Sequence, residues 1–295
     1  ADAKPNVLVN THATFRWRHG LFTGFDIEPM QTLDADLYIV LTDDVDRMHY
    51  RLVRDGHAEH TLKDLMVWRE EEALATELLA QIVRGHGAFY VSSRGTDDTT
   101  AQAVARLICQ PHLPKTYLSF PMTHVAGLPN TLAEIEAFRR QLKGLFVCFD
   151  PGDLEEKYLT DLALTAAKAG QHTVDIGPPG ERTTVTVSDL LAIIGDIDGQ
   201  IYARDFKLID QSDMIISLIP ELPDGMPGLS SGVERELQHA HETTKDVFVI
   251  WKPARAPSPF ITETATRVFA SVTEAMDYFR SAGYVAPDPP GGLFQ

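Results

Sequence analysis

Cysteine is scarce: Cys109 and Cys148 are the only two, too few for a disulfide framework and spaced unlike any metal knuckle. Both read as small buried apolar residues in a protein of the reducing cytoplasm. No apolar run reaches the length of a membrane span, and the opening Ala1-Asp2-Ala3-Lys4 has neither a signal-peptide pattern nor an initiator methionine. Positive charge is in deficit, with 26 Lys and Arg against 42 Asp and Glu, for a formal net charge of −16. That field repels a nucleic-acid backbone or an anionic membrane surface, so neither is expected as a partner. None of the 11 histidines has metal-ligand spacing, and neither a metal nor a cofactor is expected.

What is present is a globular composition over 295 residues, 44% hydrophobic and 23% charged, long enough for two domains. Apolar runs at 6–9, 35–41 and 88–92 read as buried strands, with helices expected at 44–54, 62–83 and 98–109. In the second of these helices Leu65, Trp68, Leu74, Leu78 and Ile82 recur near helical spacing. Pro111-His112-Leu113-Pro114 then breaks the pattern, and the domain boundary is placed there. Beyond it strands are expected at 115–120, 144–149, 213–219 and 246–251, and helices at 131–142, 205–211, 233–241 and 271–281. The reading is α/β: a Rossmann-like, flavodoxin-like and mostly parallel sheet over 113–285, preceded by a partial α/β segment over 1–112. Residues 286–295 are expected to form an irregular tail.

In the first segment, Asn10-Thr11-His12-Ala13-Thr14-Phe15-Arg16 follows a strand, and a later helix carries Arg69-Glu70-Glu71-Glu72. Residues 4–109 thereby resemble the second half of a P-loop nucleoside monophosphate kinase, closest to the archaeal-type adenylate kinases. The resemblance implies contact of His12, Thr14 and Arg16 with a nucleotide. An ordinary strand-end loop with a capping threonine and a surface arginine accounts for them equally well. No G-x-x-x-x-G-K-[ST] occurs anywhere in the chain, so nothing cradles the β- and γ-phosphates and kinase activity is not expected. The chain is expected to be the C-terminal part of a longer polypeptide; a kinase half decayed to a platform is the alternative.

The second domain holds the chemistry. A Pro- and Gly-rich loop, Leu222 to Leu229, ends at Ser230-Ser231-Gly232 and opens a helix. Free amides there, two hydroxyls and a glycine suit a phosphate or a sugar hydroxyl, although Ser230 or Ser231 can equally well be a plain helix cap. Glu234 and Glu236 flank the stripe Val233, Leu237, Ala240 on opposite sides, and periodicity does not choose between them.

Gly232-x-x-x-Glu236-x-x-x-Ala240, preceded by Asp205-x-x-x-Ile209-x-x-Ser212-Asp213 and by the strand Tyr117-Leu118-Ser119-Phe120-Pro121-Met122, resembles the nucleoside 2-deoxyribosyltransferase family over residues 115–281. It is most similar to the branch that hydrolyses nucleoside 5′-monophosphates. The resemblance implies Glu236 as the nucleophile and Asp205 as the group that orients it and the sugar. It also implies substrate contacts from Tyr117, Ser119, Met122, Ser230, Ser231 and Gly232, and a homo-oligomer, with the aromatic tail at Leu293-Phe294 as a candidate contact. Serine at 230, where the transferases tend to carry aspartate, can donate to a phosphate that a carboxylate would repel. The chain departs from the hydrolase branch at Pro121-Met122-Thr123-His124, where serine and arginine bind phosphate; Arg204, Arg235 and His124 are candidates to compensate.

The expected chemistry is displacement at C1′: Glu236 attacks, the base leaves, and water or another base releases the glycosyl-enzyme. The substrate is a small-molecule nucleotide or nucleoside. A deoxyribosyltransferase, an NAD- or NTP-degrading effector and a non-catalytic nucleotide sensor are the other readings.

Overall fold

The computed structural model describes residues 7–17, 20–95 and 97–285. The chain opens with β1 (Thr14–Trp17), β2 (Gly20–Thr23), α1 (Ile27–Leu33), β3 (Tyr38–Thr42), α2 (Val45–Arg54), α3 (Leu62–Arg84) and β4 (Phe89–Ser93). Next come α4 (Asp97–Cys109), β5 (Lys115–Ser119), α5 (Pro129–Lys143), β6 (Val147–Phe149), α6 (Lys157–Lys168), β7 (Thr173–Ile176), β8 (Thr183–Thr186) and α7 (Val187–Asp210). The last are β9 (Met214–Ile219), α8 (Ser231–Glu242), β10 (Asp246–Trp251), α9 (Pro259–Thr262), β11 (Arg267–Phe269) and α10 (Val272–Ser281). Among the described residues no helix is long and apolar enough to cross a membrane. Contacts divide the chain into two units, residues 1–91 with 162–193 and residues 92–161 with 194–295.

In the first unit β1 and β2 form an antiparallel hairpin running from Thr14 opposite Thr23 to Trp17 opposite Gly20. Gly24 closes it: its N–H donates to the Ala13 carbonyl at 2.8 Å, and a Cβ there would lie 2.4 Å from the His12 carbonyl oxygen. Helix α3 begins with a capping box, in which Thr61 Oγ1 accepts from the Asp64 amide and Asp64 accepts from the Thr61 amide. It packs against α2, β1 and β3, and β3 pairs with β4. β7 and β8 form a second antiparallel hairpin, against which α2 packs.

The second unit is built on a five-stranded sheet ordered β11-β10-β9-β5-β6, every neighbouring pair parallel. In chain order this is 2-1-3-4-5, a Rossmann-like arrangement that reverses direction once, between β5 and β9. Helices cover both faces, which is why the strands read as near-continuous apolar runs. On one face Leu118, Ile216, Leu218, Phe248 and Ile250 pack against Ile135, Phe138 and Leu142 of α5 and Met276 and Phe279 of α10. Phe279 stands edge-on to Phe248 at 5.0 Å and to Phe146 at 5.5 Å. The opposite face presents Tyr117, Ser119, Ser217 and Val249 on the side where α8 lies over β9 and β10.

Three expectations are corrected. Val7, Leu8 and Val9 form no strand and are exposed, because no strand among the described residues takes up their hydrogen bonds; the first strand among the described residues is Thr14–Trp17. Helix α3 does not bury Leu74, Leu78 and Ile82, each about half exposed. Its buried residues are Leu62, Leu65, Met66, Arg69, Ala73, Leu79 and Ala80, so Leu65 of the expected stripe is packed while the inward face further along runs through Ala73, Leu79 and Ala80. The helix expected at 205–211 is the end of α7, which begins at Val187. Its Asp and Gly residues disguise a stripe of Leu190, Ile193, Ile197 and Leu208, all buried. Residues 286–295, the expected tail, lie outside the described residues.

Candidate active site

The site is assembled at the carboxyl ends of β5 and β9, where the strand order reverses and doubly wound sheets open a crevice. Alternate residues of a strand share a face, so Tyr117 and Ser119 of β5 point the same way. Ser217 sits directly opposite Ser119 in register on β9. The chain leaves β9 through the loop 220–230, where the Leu222 amide donates to the Met226 carbonyl and the Gly228 amide donates to the Pro220 carbonyl, both at 2.8 Å. A Cβ on Gly228 would come within 2.8 Å of the Pro220 ring, so this close return requires glycine. The loop delivers α8 with Ser230 as its N-cap, the Ser230 hydroxyl oxygen accepting from the Val233 amide at 3.2 Å.

Burial of Val233, Leu237 and Ala240 fixes the rotation of α8 on the sheet and turns Glu236 toward β5. Tyr117 Oη donates to Glu236 Oε1 at 3.0 Å, and Ser119 Oγ donates to Oε2 at 2.6 Å. Ser217 Oγ in turn donates to Ser119 Oγ at 3.3 Å. Both carboxylate oxygens are therefore held from one strand. Glu234, on the exposed side of the helix, has no part in this network.

Burial dominates the electrostatics. It pushes the Glu236 carboxyl up to about 7; the Ser119 hydrogen bond pulls back, the Asp205 charge pushes up further, and the Tyr117 hydrogen bond pulls back in turn. Tyr117 is raised well above the usual phenol range, by burial first and then by the charges of Glu236 and Asp205. Asp205, on α7, is pushed up to about 6 by burial, against the pull of the neighbouring Arg204. Its charge pushes both Glu236 and Tyr117 upward.

Hydrogen bonds thus bring Glu236, Tyr117 and Ser119 together, and the charge of Asp205 acts on Glu236 and Tyr117. The other expected residues make no hydrogen bond to this group among the described residues. Ser230 is engaged as the helix cap, and six residues separate it from Glu236, about 9 Å of helical rise. Ser231 and Gly232 are exposed on the first turn, and Met122 is exposed at the start of a 3-10 turn beyond β5. Ser217 was not among the expected residues. A lone serine inside the apolar strand Met214–Ile219 is the signal that marks it, but only the register with β5 gives it a partner.

At the end of the neighbouring strand β6, fully buried Asp150 accepts from Arg139 Nε at 2.7 Å, lies 2.7 Å from Lys143 Nζ, and accepts from the Gly152 amide. Asp153 joins the same cations and is pushed up to about 6, chiefly by burial and by the charge of Asp150. In the first unit, the Ala13 and Thr14 amides and the Thr14 hydroxyl all donate to Glu72 at 2.6–2.9 Å, and Arg16 pairs with Glu71. These donors thus serve the chain's own carboxylates. Among the described residues no group of three or more His, Cys, Asp or Glu is placed to hold a metal ion. Compared with models of protein families and with curated proteins, the chain matches none.

Proposed function

We propose that the second unit is an N-glycosidase that cleaves the bond between base and sugar of a nucleotide, a (deoxy)nucleoside 5′-monophosphate, with Glu236 as the nucleophile. The observation that carries this reading is the clamp on Glu236, whose two oxygens each accept a hydrogen bond from β5 at the strand-reversal crevice. A buried carboxylate fixed in this way presents its free lone pairs to an anomeric carbon at no cost in reorganisation. As C1′ gains positive charge, the two nearby carboxylates stabilise it in a site of low dielectric. Asp205 has an unpartnered oxygen with which to accept a sugar hydroxyl.

In the mechanism, a Glu236 oxygen forms the bond to C1′ while the bond from C1′ to the base nitrogen breaks and its electron pair leaves with the base. Water then attacks C1′, loses its proton and restores the free carboxylate; a second base in place of water makes the reaction a transfer. Tyr117 and Ser119 hold the carboxylate through both steps. No phosphoryl transfer is assigned to the first unit, since the chain carries no phosphate loop.

The test is incubation with ribo- and deoxyribonucleosides, their 5′-phosphates, nucleoside triphosphates and NAD, reading released base by chromatography. Base release from a monophosphate, lost in Glu236→Gln, is the expected result. Release that survives Glu236→Gln on every substrate overturns the assignment. Tight binding without any release assigns the pocket to a sensor.

A further inference from the structure

A cavity of about 370 Å³, its mouth included, lies wholly within the second unit, between the end of β4, the first turns of α4, the end of α5 and the turn after β6. None of its lining residues belongs to the group around Glu236. Its walls set the rings of Phe146 and Phe149 beside polar side chains that include Ser93, Lys143, Asp150 and Asp153. The last three are bound to one another: Lys143 Nζ lies 2.7 Å from Asp150 Oδ2 and donates to Asp153 Oδ1 at 2.6 Å. Arg139 donates to the same two carboxylates, at 2.7 Å to Asp150 and 3.2 Å to Asp153. Two cations thus answer two carboxylates, and the quartet carries no net charge.

Two hydrogen-bonding atoms on these walls are left over. Ser93 is only 8% exposed, and its Oγ is buried without a partner, where native interiors satisfy such groups. Asp153 Oδ1 takes both cations, whereas Oδ2 accepts no hydrogen bond among the described residues. Gly95 brings the backbone beyond β4 hard against this carboxylate: a Cβ there would lie 2.8 Å from Asp153 Oδ1. Ser93 stands two residues before Gly95, a chain length of about 7 Å at most, so one small molecule can span both atoms. Their chemistry selects it. An ionised carboxylate only accepts, so the group at Oδ2 is a donor, which excludes a phosphate or another oxyanion. An ammonium group donates but meets Lys143 and Arg139 on the same carboxylate. A hydroxyl meets both demands, since it donates to Oδ2 and takes either role opposite Ser93. We propose that this cavity binds a neutral polyhydroxy ligand of the size of a small polyol, one hydroxyl donating to Asp153 Oδ2, another paired with Ser93 Oγ, and its C–H edges against Phe146 and Phe149. The site is separate from Glu236 and does not depend on the glycosidase reading.

The probes are ribitol and glycerol, which have no anomeric carbon to engage Glu236, with inorganic phosphate and ethylamine as the competing chemistries. Each is titrated into the ¹⁵N-labelled full chain, reading the amide shift of Gly95. Both polyols are expected to give saturable shifts with a Kd of roughly millimolar order. Ser93→Ala should weaken ribitol about fivefold, the worth of one neutral hydrogen bond, and Asp153→Asn by at least as much, since its acceptor is charged. Glu236→Gln should leave ribitol binding unchanged. No saturable shift with either polyol overturns the proposal and leaves a cavity that holds water alone. Ribitol binding equal to wild type in both Ser93→Ala and Asp153→Asn overturns it, as does loss of binding in Glu236→Gln, which moves the ligand to the other site. Tighter binding of phosphate or ethylamine than of ribitol gives the cavity to an ion and overturns the ligand class. Should circular dichroism show Asp153→Asn unfolded, Ser93→Ala decides by the same measurement, because it removes an atom that holds nothing else in the fold.

Discussion

Ser119 and Ser217 face each other in register across two neighbouring strands, their Oγ atoms 3.3 Å apart, and Ser119 Oγ in turn donates a hydrogen bond to Glu236 at 2.6 Å. The Glu236 carboxylate, the nucleophile under the proposed function, is thus oriented by hydrogen bonds two hydroxyls deep. Ser217→Ala removes the outer member without touching the carboxylate, and base release should fall roughly fivefold in kcat with KM unchanged, the worth of about one neutral hydrogen bond. Ser119→Ala should cost more, because it strips a donor from the carboxylate itself. Steady-state kinetics on both variants check the order; an equal effect on KM would mean that these hydroxyls bind substrate and do not orient Glu236.

The two glutamates of α8 separate by a single turn of reasoning. Glu234 is exposed and outside the site's network, whereas Glu236 is held by two donors. Glu236→Gln should lower base release by at least about a thousandfold, and Glu234→Gln should leave it within about twofold. Single-turnover release of base compares them directly.

Stability and activity should respond to pH in opposite senses. The folded chain holds a proton on Glu236 up to about 7 and on Asp205 up to about 6, above the range in which an unfolded carboxylate releases it. Between about pH 4 and 7 the folded state therefore binds more protons than the unfolded state, and stability falls as pH rises. For Glu236 the loss is on the order of 3 kcal/mol by pH 8. Glu236→Gln removes it, so this variant should exceed wild type in urea midpoint at pH 8 and match it near pH 5. Under the proposed function the ionised carboxylate is the nucleophile, so base release by wild type should rise through about pH 7.

Asp150 makes a separate prediction about the fold. It is wholly buried between Arg139 and Lys143. Removing one partner leaves part of that charge uncompensated, and Arg139→Met should cost about 2–3 kcal/mol. Urea unfolding measures it; an unchanged midpoint would show that Lys143 alone satisfies the carboxylate.

The parallel strands were legible because burial on both faces leaves no room for polar alternation, as in Met214–Ile219 and Asp246–Trp251. Helix α7 was legible only at its end, since Gly195, Asp196, Asp198 and Gly199 look like loop while the buried stripe beneath them keeps helical spacing. On α3 the expected stripe is packed at Leu65 but not at Leu74, Leu78 and Ile82, because the packed side continues through Ala73, Leu79 and Ala80 and apolarity on several faces leaves its phase open. At the site, residue types and the spacing on α8 pointed to Glu236 through a family likeness. The choice over Glu234 on physical grounds needs the donors of β5, and sequence spacing does not show which strands lie side by side.

The hydrogen bonds from Tyr117 and Ser119 to Glu236 join residues 119 and 117 positions apart in the chain. No local segment can make them, and no secondary structure standing alone carries the reactive group in working order. Under the proposed function the capacity to react therefore comes into being only with the assembled sheet. Under the proposed function, turnover is a direct gauge of native tertiary structure, and a partly folded chain that keeps its helices should already be silent.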